Sequence, residues 1–112
     1  MSFFFINCNS QNEVKSISTI ELKVLLEKEN IQLIDVRTPE EIEQGIIATA
    51  KFANFFDADF YTKASKQLDQ SKPVYLYCRS GSRSAKSAKK LQKQGYKVYN
   101  VLGGYNQWKL EN

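Results

Sequence analysis

The sequence predicts an α/β fold, with a mostly parallel central sheet of about five strands and helices on both faces. Two observations predict it. Short apolar, β-branched runs alternate with segments of helical period, and a strand that pairs in parallel with the next one needs such a helix as its crossover. The length of 112 residues and the hydrophobic fraction of 42% suit one compact domain. We expect this domain over residues 17–112, after a lead-in over residues 1–16.

Capping and apolar signals mark the individual elements. Ser18 and Glu21 have the spacing of a capping box, which predicts a helix that ends near Asn30. The apolar run 31–36 predicts a buried strand. From the same kinds of signal we predict a short helix after Thr38-Pro39, a short strand near 50–53, a helix starting at Asp57 or Asp59, a strand over 74–77, a helix from Ser84, a strand over 96–102 and a short helix over 105–110.

The composition excludes several kinds of chemistry. The chain has no histidine, which removes histidine-ligated metal sites, Ser-His-Asp triads and Cys-His dyads. We predict neither a metal nor another cofactor. Two cysteines cannot form a disulfide framework and fit a reducing compartment, so we expect a cytoplasmic protein. No apolar stretch approaches the roughly 18 residues that a transmembrane helix needs.

The N-terminal lead-in has two interpretations. The apolar run 3–6, followed by Cys8, resembles the end of a bacterial lipoprotein signal, in which Cys8 would be lipidated. The run lacks the basic region and most of the apolar stretch of such a signal. The alternative is a first strand, or an apolar terminus that packs on the domain. A truncated gene start would favour the first interpretation and an envelope lipoprotein.

Charge is divided unevenly along the chain. Residues 1–60 hold five Lys and Arg against ten Asp and Glu, whereas residues 61–112 hold eleven against two. A basic half indicates an anionic ligand or an acidic partner. Nucleic acid is not expected, because the lysines fall largely on one helix without an aromatic ladder beside them. Four of them share one helical face, either as a solvated face or as a docking patch: Lys86, Lys89, Lys90 and Lys93.

The strongest chemical signal is the polar loop Cys78–Ser84, between a predicted strand and a helix N-terminus. The unpaired amides of the first helical turn, the helix dipole and two nearby cations, Arg79 and Arg83, all favour a thiolate. We therefore expect the pKa of Cys78 to lie below the ordinary cysteine value of about 8.5.

The small residues of this loop suit an anionic ligand beside the sulfur. Gly81 permits a positive φ, so the loop can curl with its amides inward. Ser80 and Ser82 leave room for the ligand. The alternative is a structural cysteine that happens to end a strand, but Cys78 leaves the strand and two arginines lie close to it in the sequence.

Three motifs resemble those of the rhodanese-like sulfurtransferases. Residues 78–84 (CRSGSRS) resemble the family's active-site loop, and residues 33–41 (LIDVRTPEE) resemble its first strand with the Asp-Val-Arg signature. Residues 101–108 (VLGGYNQW) resemble its closing Gly-Gly turn and tryptophan. The motifs occur in the family's order and the resemblance covers about residues 17–110. It implies the rhodanese-like α/β fold.

One segment departs from the family pattern. Residues 44–50 align with a stretch that usually includes Gly-His-Ile-Pro-Gly-Ala, and here Ile46, Ala48 and Thr49 replace the histidine, the proline and the second glycine. We expect the change to affect the local turn and the rim of the pocket, but not the nucleophile.

The resemblance implies a sulfurtransferase. Cys78 would attack the outer sulfur of a small anionic donor such as thiosulfate and hold it as a persulfide, which a thiol, cyanide or a protein acceptor would then take. Arg83 would attract the donor, or would tie the loop to Asp35 or another acid. The residues expected to bind the donor are Arg79, Ser80, Gly81, Ser82 and Arg83, and those expected to support the loop are Asp35, Arg37 and Ser84, the first two as an ion pair beneath it.

Two other functions compete with this interpretation. Protein phosphatases also use a loop from Cys to Arg, but with one residue more between the two than separates Cys78 from Arg83. The smaller ring suits a single sulfur atom better than a tetrahedral oxyanion, so we expect no phosphatase activity. The second is a non-catalytic binding or sulfur-carrier module, since many rhodanese-like domains lack the cysteine. The presence of the cysteine and both arginines makes this alternative weaker.

Overall fold

The computed structural model describes residues 13–112 and has the predicted α/β fold. Every pair of neighbouring strands in its five-stranded sheet is parallel. The apolar run 3–6 and Cys8 lie outside the described residues, and so do both interpretations of them. Within residues 13–112 no helix has the length and the apolar composition to cross a membrane.

The sheet places β4 at its centre and the ends of β4 and β2 side by side. The strand order is β1-β5-β4-β2-β3. Tyr77 lies opposite Asp35, and the amide of Val36 donates to the carbonyl of Tyr77 at 3.0 Å. Cys78 therefore follows β4 at the carboxyl ends of the strands, beside the segment that follows β2. The strands are β1 Lys15–Ile17, β2 Gln32–Asp35, β3 Lys51–Phe52, β4 Val74–Tyr77 and β5 Val98–Val101.

Two of the five helices within residues 13–112 begin with a capping box, and the first of these boxes was predicted from the sequence. Ser18 and Glu21 exchange side-chain and backbone hydrogen bonds, and so do Thr38 and Glu41, which satisfies amides that the helix itself leaves unpaired. Asp59 precedes the third helix without a side-chain cap. The helices are α1 Thr19–Lys28, α2 Pro39–Ile42, α3 Phe60–Ser65, α4 Ser82–Lys93 and α5 Gly104–Glu111.

Helices cover both faces of the sheet, because side chains of each strand alternate between two apolar clusters. One cluster joins α3 and α4 to the sheet and includes Leu76 and Leu91. The other joins α1 and α5 to the opposite face, with Leu22 and Tyr77 buried and Trp108 packed against them. Cys78 belongs to the first cluster.

Two of the boundaries that differ from the sequence prediction have a clear physical reason. The helix predicted from Ser84 begins at Ser82, so Arg83 lies in its first turn and not in the loop. The reason is that Gly81, with φ of +113°, completes the turn of the loop by itself. The edge strand Lys15–Ile17, which pairs with β5, starts before the predicted first residue of the domain. It is short, polar and largely exposed, so it carries no apolar period.

Candidate active site

Cys78 lies directly after the central strand, in a tight turn whose amides face its sulfur. The Sγ atom accepts a hydrogen bond from the amide of Gly81 at 3.1 Å and lies 3.4 Å from the hydroxyl oxygen of Ser84. The residue is 1% exposed. The loop therefore encloses the sulfur with hydrogen-bond donors.

Two opposing effects set the charge state of this sulfur. Burial alone would raise the pKa of Cys78, since it disfavours the anion. Hydrogen bonds from the side chain and amide of Ser84 and from the amides of Gly81 and Ser80 stabilise the thiolate. They outweigh burial, and the pKa of Cys78 lies below its ordinary value. A lowered pKa is what a cysteine nucleophile requires.

The loop is connected to the neighbouring strand through Asn100 of β5. Its Nδ2 donates to the carbonyl of Gly81 at 3.1 Å, and its Oδ1 accepts from the hydroxyl of Ser84 at 2.6 Å. A serine hydroxyl has one hydrogen, so Ser84 donates to Asn100 beside the neutral thiol and turns to the sulfur of Cys78 to stabilise the thiolate. Asn100 is 6% exposed. It positions both the turn and the hydroxyl that faces the thiolate.

Sequence reasoning missed Asn100. Its only signal in the sequence is that an asparagine, a polar residue that strands disfavour, stands in an otherwise apolar and aromatic strand. Such a residue, when buried, must find hydrogen-bond partners, but the sequence does not say which ones.

Arg83 forms an ion pair with Glu41. Two of its guanidinium nitrogens donate to the two carboxylate oxygens, both at 2.8 Å. The pKa of Glu41 falls to about 2, because the Arg83 hydrogen bonds outweigh partial burial and bonds from Thr38 add to them. Arg83 thus ties α4 to α2. The acid is Glu41 and not Asp35, and in the sequence Glu41 stood only within the motif 33–41, with no partner predicted for it.

Asp35 and Arg37 form a buried ion pair at the end of β2. The closest nitrogen and oxygen are 2.7 Å apart. Arg37 also donates to the carbonyl of Gly45 at 2.7 Å, and its guanidinium lies 4.4 Å from the ring centroid of Tyr105. The pair therefore joins the end of β2 to the turn after α2 and to α5.

Helix α5 contacts the loop through its first amides. The amide of Tyr105 donates to the carbonyl of Cys78 at 2.8 Å, and that of Asn106 donates to the carbonyl of Arg79 at 3.0 Å. Gly104 allows this contact, since a Cβ atom there would lie 2.5 Å from the carbonyl oxygen of Cys78. Both loop carbonyls are satisfied from outside the loop, which leaves the loop amides free to face the sulfur.

Three of the residues expected to bind the donor lie at the protein surface. Arg79, Ser80 and Ser82 are exposed. Arg79 lines a cavity between α2 and α5, together with Lys109. Within residues 13–112, Arg79 has no carboxylate within 4.0 Å, and no group of three or more Cys, Asp and Glu residues is arranged to hold a metal ion.

The replaced positions after α2 correct one expectation. Ala48 and Thr49 line a surface cavity with Leu26 and Ile31, near the start of β2. This cavity lies at the amino ends of the strands, whereas Cys78 lies at their carboxyl ends. They do not form the rim of the site. Thr49 has φ of +71°, a conformation that suits the glycine of the family pattern better than a β-branched residue. The third replacement, Ile46, is 41% exposed.

Comparisons with known proteins agree on one family. A family model described as a rhodanese-like domain matches residues 18–111. A putative sulfurtransferase of Bacillus subtilis, YtwF, is 40% identical over 88% of this chain and 94% of its own length. The thiosulfate sulfurtransferase GlpE of Coxiella burnetii is 36% identical over 88% of this chain and 90% of its own length.

A solved structure shares the fold. The crystal structure of a rhodanese-like domain protein from Staphylococcus aureus aligns with a TM-score of 0.76 at 38% identity. The alignment covers 85% of this chain and 91% of the other.

Proposed function

The chain belongs to the rhodanese-like domain family and is a rhodanese-type sulfurtransferase, and from this premise we propose that it transfers sulfane sulfur from thiosulfate or a similar donor through a persulfide on Cys78. The observation that carries the proposal is the sulfur of Cys78, which is surrounded by donors from Gly81 and Ser84 and has a lowered pKa.

In the first half-reaction the Cys78 thiolate attacks the outer sulfur of thiosulfate. A new S–S bond forms to Sγ while the original S–S bond breaks, and sulfite leaves with the electron pair. The negative charge moves from Sγ to the outer persulfide sulfur, so no proton is transferred. The inward amides of the loop are suited to stabilise that anion, as in an oxyanion hole.

In the second half-reaction an acceptor removes the sulfur. Cyanide or a thiolate attacks the outer sulfur, the persulfide bond breaks, and the electron pair returns to Sγ, which restores the starting thiolate. Neither half-reaction consumes an oxidant. A reducing compartment such as the cytoplasm suits this chemistry, because the nucleophile and a thiol acceptor must both stay reduced.

The test is the intact mass of the protein after incubation with thiosulfate. We expect a gain of one sulfur atom, which is lost again on addition of cyanide with release of thiocyanate. Cys78→Ser should gain nothing, and Cys8→Ser, the matched control with the other cysteine removed, should behave as the parent chain does.

Each other outcome points to a different function. No gain of sulfur would overturn the proposal in favour of a binding module. A persulfide that cyanide removes but small thiols do not would indicate a sulfur carrier that delivers to a protein acceptor. Hydrolysis of an aryl phosphate that disappears in Cys78→Ser would indicate a phosphatase, which we do not expect from the short Cys78-to-Arg83 spacing.

A further inference from the structure

A polar cavity lies beside the active-site loop, between α2 and α5. It encloses about 160 Å³, and Gln44, Arg79, Asn106 and Lys109 contribute to its lining. Water occupies roughly 30 Å³ per molecule in the liquid, so the space holds a few waters or one small polar group. Arg79 is also expected to bind the donor, whereas the other three side chains have no part in the chemistry at the sulfur as proposed above.

The charges around this cavity do not cancel. Arg37 lines it but is paired with Asp35. Glu41, the one carboxylate in the lining, is paired with Arg83.

Arg79 and Lys109 remain, and within the described chain neither has a carboxylate within 4.0 Å. Two uncompensated cations in a shared concave site attract an anion. The side-chain amides of Gln44 and Asn106 add hydrogen-bond donors to it.

The cavity adjoins the active-site loop and is connected to it by a backbone hydrogen bond. Arg79 follows the nucleophile directly, and its carbonyl accepts from the amide of Asn106, which lines the same cavity. A ligand held by Arg79 and Lys109 would lie next to the loop, in a cavity whose lining does not include Cys78 itself. Binding energy of this kind, from a part of a substrate that does not react, can orient the part that does.

We propose that this cavity binds the anionic group of the sulfur acceptor, and that the acceptor is a small thiol that carries a carboxylate or sulfonate. The inference rests on the proposed sulfurtransferase function. The acceptor thiolate forms a bond to the outer sulfur of the Cys78 persulfide, the bond between that sulfur and Sγ breaks, and its electron pair returns to Sγ. The acceptor leaves as a persulfide after its anionic group has been held between Arg79 and Lys109. Neutral thiols react by the same step but lack this contact.

The first experiment compares acceptors of similar size and different charge. The persulfide is discharged with 3-mercaptopropionate, 2-mercaptoethanesulfonate, 2-mercaptoethanol or cysteamine, and KM and kcat are measured for each. In Lys109→Gln we expect the ratio of KM for the anionic thiols to KM for 2-mercaptoethanol to rise about fivefold, as befits one partly exposed charge contact. Lys109→Glu should raise it further.

The matched control is Lys66→Gln, which removes an exposed lysine at the end of α3. It should leave the KM ratio as in the parent chain. An equal KM ratio in Lys109→Gln and the parent chain, or the same loss in Lys66→Gln, would overturn the inference. Both variants change the net charge equally, so a general charge effect is excluded by their comparison.

A second measurement separates this inference from the proposed function. Propionate, which has no thiol, is titrated into the protein, and backbone amide shifts are followed by NMR. We expect saturable shifts at Gln44, Asn106 and Lys109, which do not depend on persulfide formation. Without these shifts the cavity does not bind carboxylates, even if Cys78 is active. Shifts without any preference for anionic thiols would mean that the cavity holds a free anion, and the acceptor role would be overturned.

Discussion

At the scale of single residues, the charge of Cys78 depends on hydrogen bonds more than on neighbouring cations. Sequence reasoning attributed a thiolate to the amides, the helix dipole and two arginines. In the structure Arg83 is bound by Glu41 and Arg79 lies in the cavity beside α5. The groups that lower the pKa of Cys78 against burial are the hydroxyl of Ser84 and nearby amides. A hydrogen bond to a charged group contributes about 1.5–3 kcal/mol, so one side chain can decide the charge state.

Ser84→Ala therefore tests the thiolate directly. The rate of persulfide formation should rise with pH through the pKa of Cys78 and level off above it, because only the thiolate attacks. Loss of the Ser84 hydroxyl should move this rise to higher pH and lower the rate at neutral pH by roughly tenfold. The ultraviolet absorbance of the thiolate, followed over the same pH range, should shift in the same direction.

Ser87→Ala is the control for this change. Ser87 is buried on the same helix, but its hydroxyl donates to the carbonyl of Arg83 and does not contact the sulfur. It should leave the pH profile in place. An unshifted profile in Ser84→Ala would mean that the backbone amides alone hold the thiolate.

At the scale of elements, the N-terminus of α5 supports the active-site loop through hydrogen bonds to its backbone carbonyls. The amides of Tyr105 and Asn106 donate to the carbonyls of Cys78 and Arg79. Without these donors, the two carbonyls would compete for the loop amides that now face the sulfur. The close approach leaves no space for a side chain at Gly104, whose backbone also has φ of +55°. The Gly-Gly turn is therefore needed for packing of a helix against the loop as well as for the turn itself.

Gly104→Ala should destabilise the protein and impair the site. The added Cβ would lie 2.5 Å from a backbone oxygen, which cannot move without moving the loop. We expect a loss of roughly 2–4 kcal/mol in the free energy of unfolding. Persulfide formation per folded molecule should fall as well, measured at a temperature where the variant is folded.

Gly95→Ala provides the comparison. Gly95 also has a positive φ, of +99°, but its Cβ would meet only the side chain of Gln70. The strain should lower stability without changing the activity of the folded protein. If Gly104→Ala keeps full activity per folded molecule, α5 does not set the loop geometry.

At the scale of the whole molecule, the pair of Glu41 and Arg83 joins helices that lie far apart in the sequence. The two side chains are 22% and 19% exposed. An unfolded glutamate has a pKa of about 4.3, whereas the pKa of Glu41 in the folded protein is about 2. As the pH falls, the Glu41 carboxylate therefore binds a proton at a higher pH in the unfolded state than in the folded state. The stability that Glu41 contributes is fully present above about pH 5 and is lost as the pH falls toward about 2.

Glu41→Gln should reveal this contribution. We expect the variant to be about 2 kcal/mol less stable than the parent chain at neutral pH, with allowance for partial exposure. The difference should shrink as the pH falls from about 5 toward 2, because the parent chain loses the pair there. Urea unfolding at a series of pH values measures both.

The exposed neighbour Glu40 serves as the reference for this measurement. Glu40→Gln removes a carboxylate from the same helix, and within residues 13–112 that carboxylate forms no ion pair. It should change stability little at any pH. A pH-independent difference between Glu41→Gln and the parent chain would show that the loss comes from the cap of α2 and not from the ion pair.

The sequence by itself determined the elements and the candidate nucleophile. Capping boxes act between residues three apart, strands show as apolar runs, and a cysteine between a strand and a helix has a local chemical meaning. These signals are short-range, so Ser18, Thr38, the strand Val74–Tyr77 and the loop at Cys78 could be read in order along the chain.

Only the tertiary structure decided which side chains complete the site. Glu41 meets Arg83 across 42 positions, and Asn100 meets Ser84 across 16. Neither pairing has a signal in its neighbours, because it depends on how parallel strands are ordered in the sheet. The same packing brings Arg79 and Lys109 to one cavity. Chain folding places these groups together, and local residue patterns do not encode their distances.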